Sequence, residues 1–545
     1  MNLFFKMLVG FLLFFVTFAF AGTESWAFSV LQYGLLTVAL LLVFTSRTLY
    51  VTRPLKVFSY LFLFLAGWAI LQSCFPRTLL QGPAWYPSTI IPLYTLESAS
   101  LFLTYTITAW VVVQLYPSFD EGRGLLFVII LSGCAVALCA AALPKGGYLF
   151  SLLKWREGFG PFLNRNHAGV FLAMCGVGML SYFFWSYIEY AGKMQTSKKD
   201  SFYIRQTCLA IIFLCLCTGV ICTRSRGGML SMAVGIFAYA FLCVWAIPLK
   251  MRKRLKGFFI TLGALVLVSG WVAAHVPEIN AFAHRASGAS ELKRKMIYSA
   301  TFRALKEYPY WGTGLGSTPL VIPNYFDWEE KKYVNHLHCD WLEVLLGMGY
   351  VGILPMIGLL GWLGWIFLRR LKALPTKKQF IYAGLLSMLV VMCVGSLTDF
   401  HFFIPANAFL FFLTVAIACS PSFYKGHTHL LHLGWFKRAL FVAICVLAVW
   451  VPTCKTIAWR LMFQGRGLKL EARAFVYEKA VPYYPSPRNA MRLAVTYYNI
   501  GVHSRNLELR YAYWRQANRV AKMYLERYPK DKELSLLYVR TRDLP

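Results

Sequence analysis

Residues 338–352 read His338-Cys-Asp-Trp-Leu-Glu-Val-Leu-Leu-Gly-Met-Gly349-Tyr-Val-Gly352. The stretch leaves a long polar loop and enters an apolar run that continues to about residue 367. At 1.5 Å of rise per residue, a helix of that length crosses a hydrocarbon core roughly 30 Å thick. His338 and Asp340 therefore stand where the chain enters a bilayer. Gly347, Gly349 and Gly352 keep the first turns free of bulk, which gives a second helix or a lipid chain room to approach. The plain alternative is a helix N-terminus with polar interface residues and packing glycines. The rest of the chain decides between them.

Working outward, the chain has 545 residues, 58% of them hydrophobic, and a mean hydropathy of +0.55. Apolar runs long enough to span recur at about 7–21, 28–46, 57–75, 98–116, 124–143, 168–188, 206–223, 228–247, 257–275, 343–367, 380–397, 402–419 and 438–454. This is the pattern of an all-α polytopic membrane protein with 12 or 13 transmembrane helices. The alternating ten-residue strands of a membrane barrel are missing. The first run ends in Ala-Phe-Ala21-Gly22 behind Lys6, so it reads either as a cleaved signal peptide or, as favoured here, an uncleaved span. The 14 cysteines fall mostly inside apolar runs (Cys134, Cys139, Cys175, Cys208, Cys215, Cys217) and behave as small core residues. No CxxC pair or zinc spacing occurs, and Cys339, a lone thiol in a polar loop, reads as incidental.

The formal charge is +32. Lys and Arg first serve topology, because short positive loops stay cytoplasmic. One alternate set of loops holds Arg47, Arg53, Lys56, Arg123, Lys193, Lys198, Lys199, Arg205, the basic run 250–256, Arg369 to Lys378, Lys425, Lys437 and Arg438. That set places the N-terminus inside. The other set faces outward: 76–97, 144–167, 224–227, 276–342, 398–401 and everything after 454. The chain thus divides into a membrane domain, 1–454, with a large extracytoplasmic loop, 276–342, and an extracytoplasmic tail, 455–545. The loop is far longer than a helix connection needs, which marks it as functional. The tail reads as helical hairpins similar to tetratricopeptide repeats, with one or two units. It carries 18 Lys/Arg against 7 Asp/Glu. Topology does not account for that surplus outside the cell, whereas an anionic partner does. The outward turn Thr223-Arg224-Ser-Arg226-Gly-Gly-Met-Leu230 sets two Arg at membrane depth, where each costs about 2.5–3.5 kcal/mol at a helix centre and less at an interface. Snorkelling explains such Arg on the cytoplasmic side; facing out, their forked donors suit phosphate.

Four segments together resemble the superfamily of O-antigen ligases and O-antigen polymerases, bacterial membrane glycosyltransferases. They are Gly160-Pro-Phe-Leu-Asn164-Arg165-Asn166-His167-Ala168-Gly169, then Ser225-Arg226-Gly227 with Leu230, then Lys293-Arg294-Lys295-Met-Ile-Tyr298 through Tyr308-Pro309-Tyr-Trp-Gly312-Thr-Gly314-Leu-Gly316, and the opening stretch. The likeness covers roughly 120–420. Cys339 departs from it, because the family has an amide or hydroxyl residue there.

The resemblance implies a GT-C-like helical fold and transfer of a glycan from an undecaprenyl-diphosphate carrier to an acceptor sugar on the outer face of the bacterial inner membrane. It implies no metal and no cofactor. Arg226 and Arg294 match family positions for the diphosphate; Arg224 joins them by proximity, and Arg303 is the fallback for Arg294. His338 matches the family histidine in register with Gly349 and Gly352, and an ordinary imidazole, near 6.5, is neutral enough at ambient pH to act as base. Asp340 or Asp399 would orient it, as a carboxylate does in hydrolase triads. The implied partners are the lipid-linked donor, a glycan or lipid-linked acceptor, the bilayer and, through the tail, another envelope protein; nucleic acid is not among them. Polysaccharide polymerase and protein O-oligosaccharyltransferase share this chemistry. A polysaccharide transporter or flippase would instead need polar residues along a path across the bilayer.

Overall fold

The computed structural model describes residues 2–78, 81–142, 158–191, 199–246, 277–326, 334–424, 426–527 and 532–542. The apolar runs fold as helices: α1 (Asn2–Phe18), α2 (Ser25–Thr45), α3 (Arg53–Ser73), α4 (Pro92–Leu115), α5 (Phe119–Ala142), α6 (Arg165–Ala191), α7 (Lys199–Cys222) and α8 (Arg226–Ala246). Then come α9 (Pro277–Glu307), the short α10 (Thr318–Val321), α11 (Asp340–Ala373), α12 (Thr376–Gly395), α13 (Pro405–Ala418) and α14 (Trp435–Gly465). The tail adds α15 (Leu470–Ala480), α16 (Pro487–His503), α17 (Leu507–Arg527) and α18 (Lys532–Arg542). The protein is all-α and polytopic. Ten of these helices are long and apolar enough to cross a membrane, and α1 and α13 are shorter apolar helices. The expected span at 257–275 and the basic run 250–256 lie outside the described residues.

Burial sorts the spans into layers. The apolar stretch of α6 is 89% buried, against 72% in α4 and α12 and 22% in α14. A helix apolar on every side and wrapped by others sits at the centre, so α6 and α12 form the axis and α14 faces lipid on most of its surface. Close packing on the axis uses absent side chains: Gly384 of α12 meets Ser181 of α6, and Gly235 of α8 meets Val391 of α12. The first helix belongs to this core, with Val9, Leu13 and Val16 fully buried. Ala21, the candidate cleavage position, is buried at a φ of 54°.

The two ends of the bundle differ in character. One gathers Arg47, Arg53, Arg123, Arg369, Arg370, Lys372, Lys378 and Arg438, all from the loops expected to be cytoplasmic. Several pair with aromatic faces or carbonyls: Arg123 stands 4.0 Å over Trp185, Lys372 4.0 Å over Trp245, and Arg438 bonds the carbonyls of Val43 and Ser46. A two-stranded antiparallel ribbon, β1 (Thr48–Thr52) with β2 (Thr428–His432), closes this end.

The other end carries α9, the 309–326 segment and the tail. Ile297, Ala300, Ala304, Val321, Ile322 and Leu337 make a small separate core there. The loop expected at 276–342 is thus partly a 31-residue helix. Helix α14 runs unbroken through position 454 and leads into the tail. Its root is fixed by an ion pair of Lys455 with Glu97, which also accepts the Tyr484 hydroxyl at 2.8 Å. Helical hairpins α15–α18 follow, and Ala490, Ala521 and Tyr524 pack on Ile91, Tyr94 and Leu320.

Candidate active site

Four helix ends converge at the tail-bearing end, and local sequence sets each one. Asn164 precedes α6 and its Oδ1 accepts the Asn166 N–H at 2.8 Å, an N-cap that turns the chain inward at Asn166-His167. Ser225 precedes α8 and its Oγ accepts the Gly228 N–H at 3.0 Å, so Arg226 is the first helical residue. Glycine fits these two ends together: a Cβ on Gly228 would meet Gly169, and one on Gly227 would meet Thr398. The start of α8 therefore packs on Gly169, two residues past His167, and on Thr398, which precedes Asp399. Arg224 has a φ of 52°, and both arginines are exposed.

Asp399, in the turn after α12, is the hub. It is 1% exposed. Its Oδ1 lies 2.8 Å from His338 Nδ1 and 3.8 Å from His167 Nε2. Its Oδ2 accepts Asn166 Nδ2–H at 2.8 Å and stands 3.8 Å from an Arg294 guanidinium nitrogen. Burial alone would raise this carboxyl; the hydrogen bonds and charge of His167 and His338 reverse that and hold it well below the usual carboxylate range. It stays ionised and can only accept, so the His338 Nδ1 that faces it carries a hydrogen, and Nε2 is the ring atom left to exchange a proton.

His338 is held in a strained backbone, φ 55°, of a kind that costs about 1–2 kcal/mol outside glycine. Neighbours over-determine it. The Tyr298 hydroxyl donates to the His338 carbonyl at 3.1 Å, and Glu343 accepts the Leu337 N–H at 3.1 Å. His336 faces elsewhere: its Nδ1 is 3.1 Å from Glu343, and its ring stacks on Phe400, centroids 4.3 Å apart. Burial pulls His336 down, and the carboxylates of Glu343, Asp340 and Asp399 together more than offset this, so it titrates above the ordinary imidazole range. His401 is the reverse, held down at about 3 by burial and then by His167.

Of the two candidate orienting carboxylates, Asp399 makes the contact. Asp340 instead accepts the N–H groups of His401 and Phe402 at 2.8 and 3.2 Å and so shapes the turn that presents Asp399. Of the two loop arginines, Arg294 reaches the hub. Arg303 lies nine residues further along α9, about 13 Å by helical rise, and donates to the Tyr325 carbonyl. Asn166, His167 and Tyr298 were visible inside motif segments, but only the fold shows that the first two meet Asp399 and the third meets His338.

The glycines of α11 have a different occupant from the one expected. Gly349 sits at φ 66° and breaks the helix. The 309–316 segment fills the break: Thr313 and Gly314 donate to the carbonyls of Leu346 and Gly347 at 2.9 and 3.1 Å, and Tyr350 and Val351 donate to those of Pro309 and Tyr310 at 2.8 and 3.0 Å. Gln72 adds a bond to the Gly347 carbonyl at 2.8 Å. Backbone groups released from a helix near the membrane must find partners, and this loop supplies them. A Cβ on Gly349 would strike the Tyr310 carbonyl, and one on Gly352 would meet Trp68. The glycine face is therefore closed to lipid by the protein itself.

Residues 211–357 match the family model described as O-antigen ligase. That segment contains Arg226, Arg294, His338, Gly349 and Gly352, while Asn166, His167 and Asp399 lie outside it and join it through folding. No curated protein matches the chain.

Proposed function

From the match of residues 211–357 to the O-antigen ligase family model, we propose that the chain transfers a glycan from an undecaprenyl-diphosphate carrier to the hydroxyl of an acceptor sugar. The reaction runs on the outer face of the bacterial inner membrane. The basic end of the bundle is then cytoplasmic, as is the N-terminus, and the tail is extracytoplasmic. The observation that carries this reading is the His338–Asp399 pair at 2.8 Å beside Arg294 and the Arg224–Arg226 turn.

The acceptor oxygen attacks the anomeric carbon of the donor glycan. As that bond forms, the bond from the anomeric carbon to the diphosphate oxygen breaks and the electron pair leaves with the diphosphate. His338 Nε2 takes the hydroxyl proton. Asp399 fixes the imidazole and stabilises the imidazolium that forms. Arg226, Arg294 and Arg224 meet the charge growing on the diphosphate. Because the leaving group is already activated, a base and guanidinium groups suffice. Glycan ligation, polymerisation and transfer to protein share these steps and differ in the acceptor.

The test is the lipid-linked pool that accumulates when the protein is removed. Finished polymer left on its carrier supports ligation. Single capped repeats support polymerisation. An unchanged pool would sink glycan transfer altogether.

A further inference from the structure

The tail meets the site edge through one bond: Arg488, at the start of α16, donates to Asn335 Oδ1 at 3.1 Å. Asn335 precedes His336, whose ring lies on Phe400, the neighbour of Asp399. Arg492 is one helical turn beyond Arg488 on the same face. Met462 of α14 packs in one cluster with Leu493 and Tyr497 of α16, which brings Arg466, one turn after Met462, to the same edge. Arg473 is spent elsewhere, donating to the carbonyls of Gly465, Arg466 and Leu468 at the end of α14. Arg466 and Arg492 are exposed, and among the described residues no carboxylate pairs with either. Partial burial and then the charges of Arg466 and Arg488 hold the Arg492 guanidinium below its ordinary range. Like charges crowded in this way oppose folding unless something anionic uses them.

We propose that Arg466, Arg488 and Arg492 form a ledge that binds an anionic group, phosphate or carboxylate, on the acceptor glycan while its hydroxyl reaches His338. The proposal rests on the glycan-transfer reading. The bond of Arg488 to Asn335, three residues before His338, favours the acceptor over the bilayer as the source of that group, because it sets the ledge beside the base.

The test uses the full chain in nanodiscs of zwitterionic lipid, with a phosphorylated oligosaccharide and its phosphatase-treated form as probes. The phosphorylated form binds about tenfold tighter or better, through charge-assisted forked bonds. The double variant Arg466→Gln/Arg492→Gln abolishes the difference, and Arg466→Lys/Arg492→Lys, which keeps charge and fold, retains part of it. Equal binding of the two probes, or a difference that survives the Gln pair, overturns the ledge. A second arm adds phosphatidylglycerol: if the Gln pair changes only binding to that lipid, the ledge reads membrane and the acceptor assignment falls. His338→Ala keeps the ledge while losing transfer, so a wild type that binds the probe but never transfers would refute the glycan-transfer reading alone.

Discussion

Asp399 Oδ1 receives His338 Nδ1 at 2.8 Å across 61 residues of chain. The two come from the mouths of different spans and meet at the bundle axis. Oδ2 of the same carboxylate holds Asn166 and pairs with Arg294. One buried anion therefore fixes the base, the entry to α6 and a guanidinium at once, so moving it disturbs all three.

The first expected outcome concerns the proton. Asp399→Asn keeps the shape but offers an amide N–H toward Nδ1, which drives the imidazole hydrogen to Nε2 where the acceptor must lose its own. Turnover falls about 10²- to 10⁴-fold, the range for a wrong tautomer or a lost base, while the protein level in the membrane holds. Assay of transfer with purified protein decides it, and near-normal turnover would remove Asp399 from the mechanism.

How much of this was legible beforehand follows from where the information lies. Spans announce themselves by apolar length, and all but the one at 257–275 appear among the described helices. Basic loops announced the two ends, and the structure gathers those among the described residues at one. His338, Asp399, Arg226 and Arg294 were each visible at a span mouth or in a motif. That Asp399 rather than Asp340 touches His338 was not, because both sit at interface turns and only the packing of α6 against α12 separates them. Gly312 to Gly316 and Gly347 to Gly349 read as two motifs; they are one object, a loop plugging a broken helix, and backbone bonds between distant segments leave no side-chain signature.

The second outcome concerns the leaving group. Arg226→Lys retains charge but loses the fork that fits two phosphate oxygens. Transfer falls about 10²-fold or more, with a smaller change in apparent donor affinity. Single-turnover rates with a lipid-linked donor measure this. An unchanged rate would mean that the turn at 224–226 anchors the protein at the interface and does no chemistry.

The third outcome is a pH dependence of stability. His336 titrates above its ordinary range because the carboxylates of Glu343, 3.1 Å away, and of Asp340 and Asp399 together outweigh its burial. A raised imidazole contributes fully below the unfolded value, near 6.5, and loses that contribution as pH rises through the folded value. Thermal unfolding in detergent therefore shows wild type losing its advantage over His336→Gln as pH rises past about 6.5. A gap that stays constant with pH would mean the ring acts through its stacking on Phe400 and carries no charge.

The last outcome tests whether the plugged helix supports the site. Gly349→Ala puts a side chain at φ 66° and against the Tyr310 carbonyl. Backbone strain alone costs about 1–3 kcal/mol, and the 309–316 segment must shift as well. That segment follows α9, which carries both Arg294 and Tyr298, so the shift reaches the hub through two side chains. Gln72→Leu is the second probe, because it removes the bonds of Gln72 to the Gly347 and Trp311 carbonyls and to the Leu315 N–H without adding bulk to the break. Both variants lower the unfolding temperature, and both reduce transfer in proportion. Loss of stability with full transfer in Gln72→Leu would mean that α9 is positioned by its own small core of Ile297, Ala300 and Ala304, and that the break in α11 serves the fold without serving the chemistry.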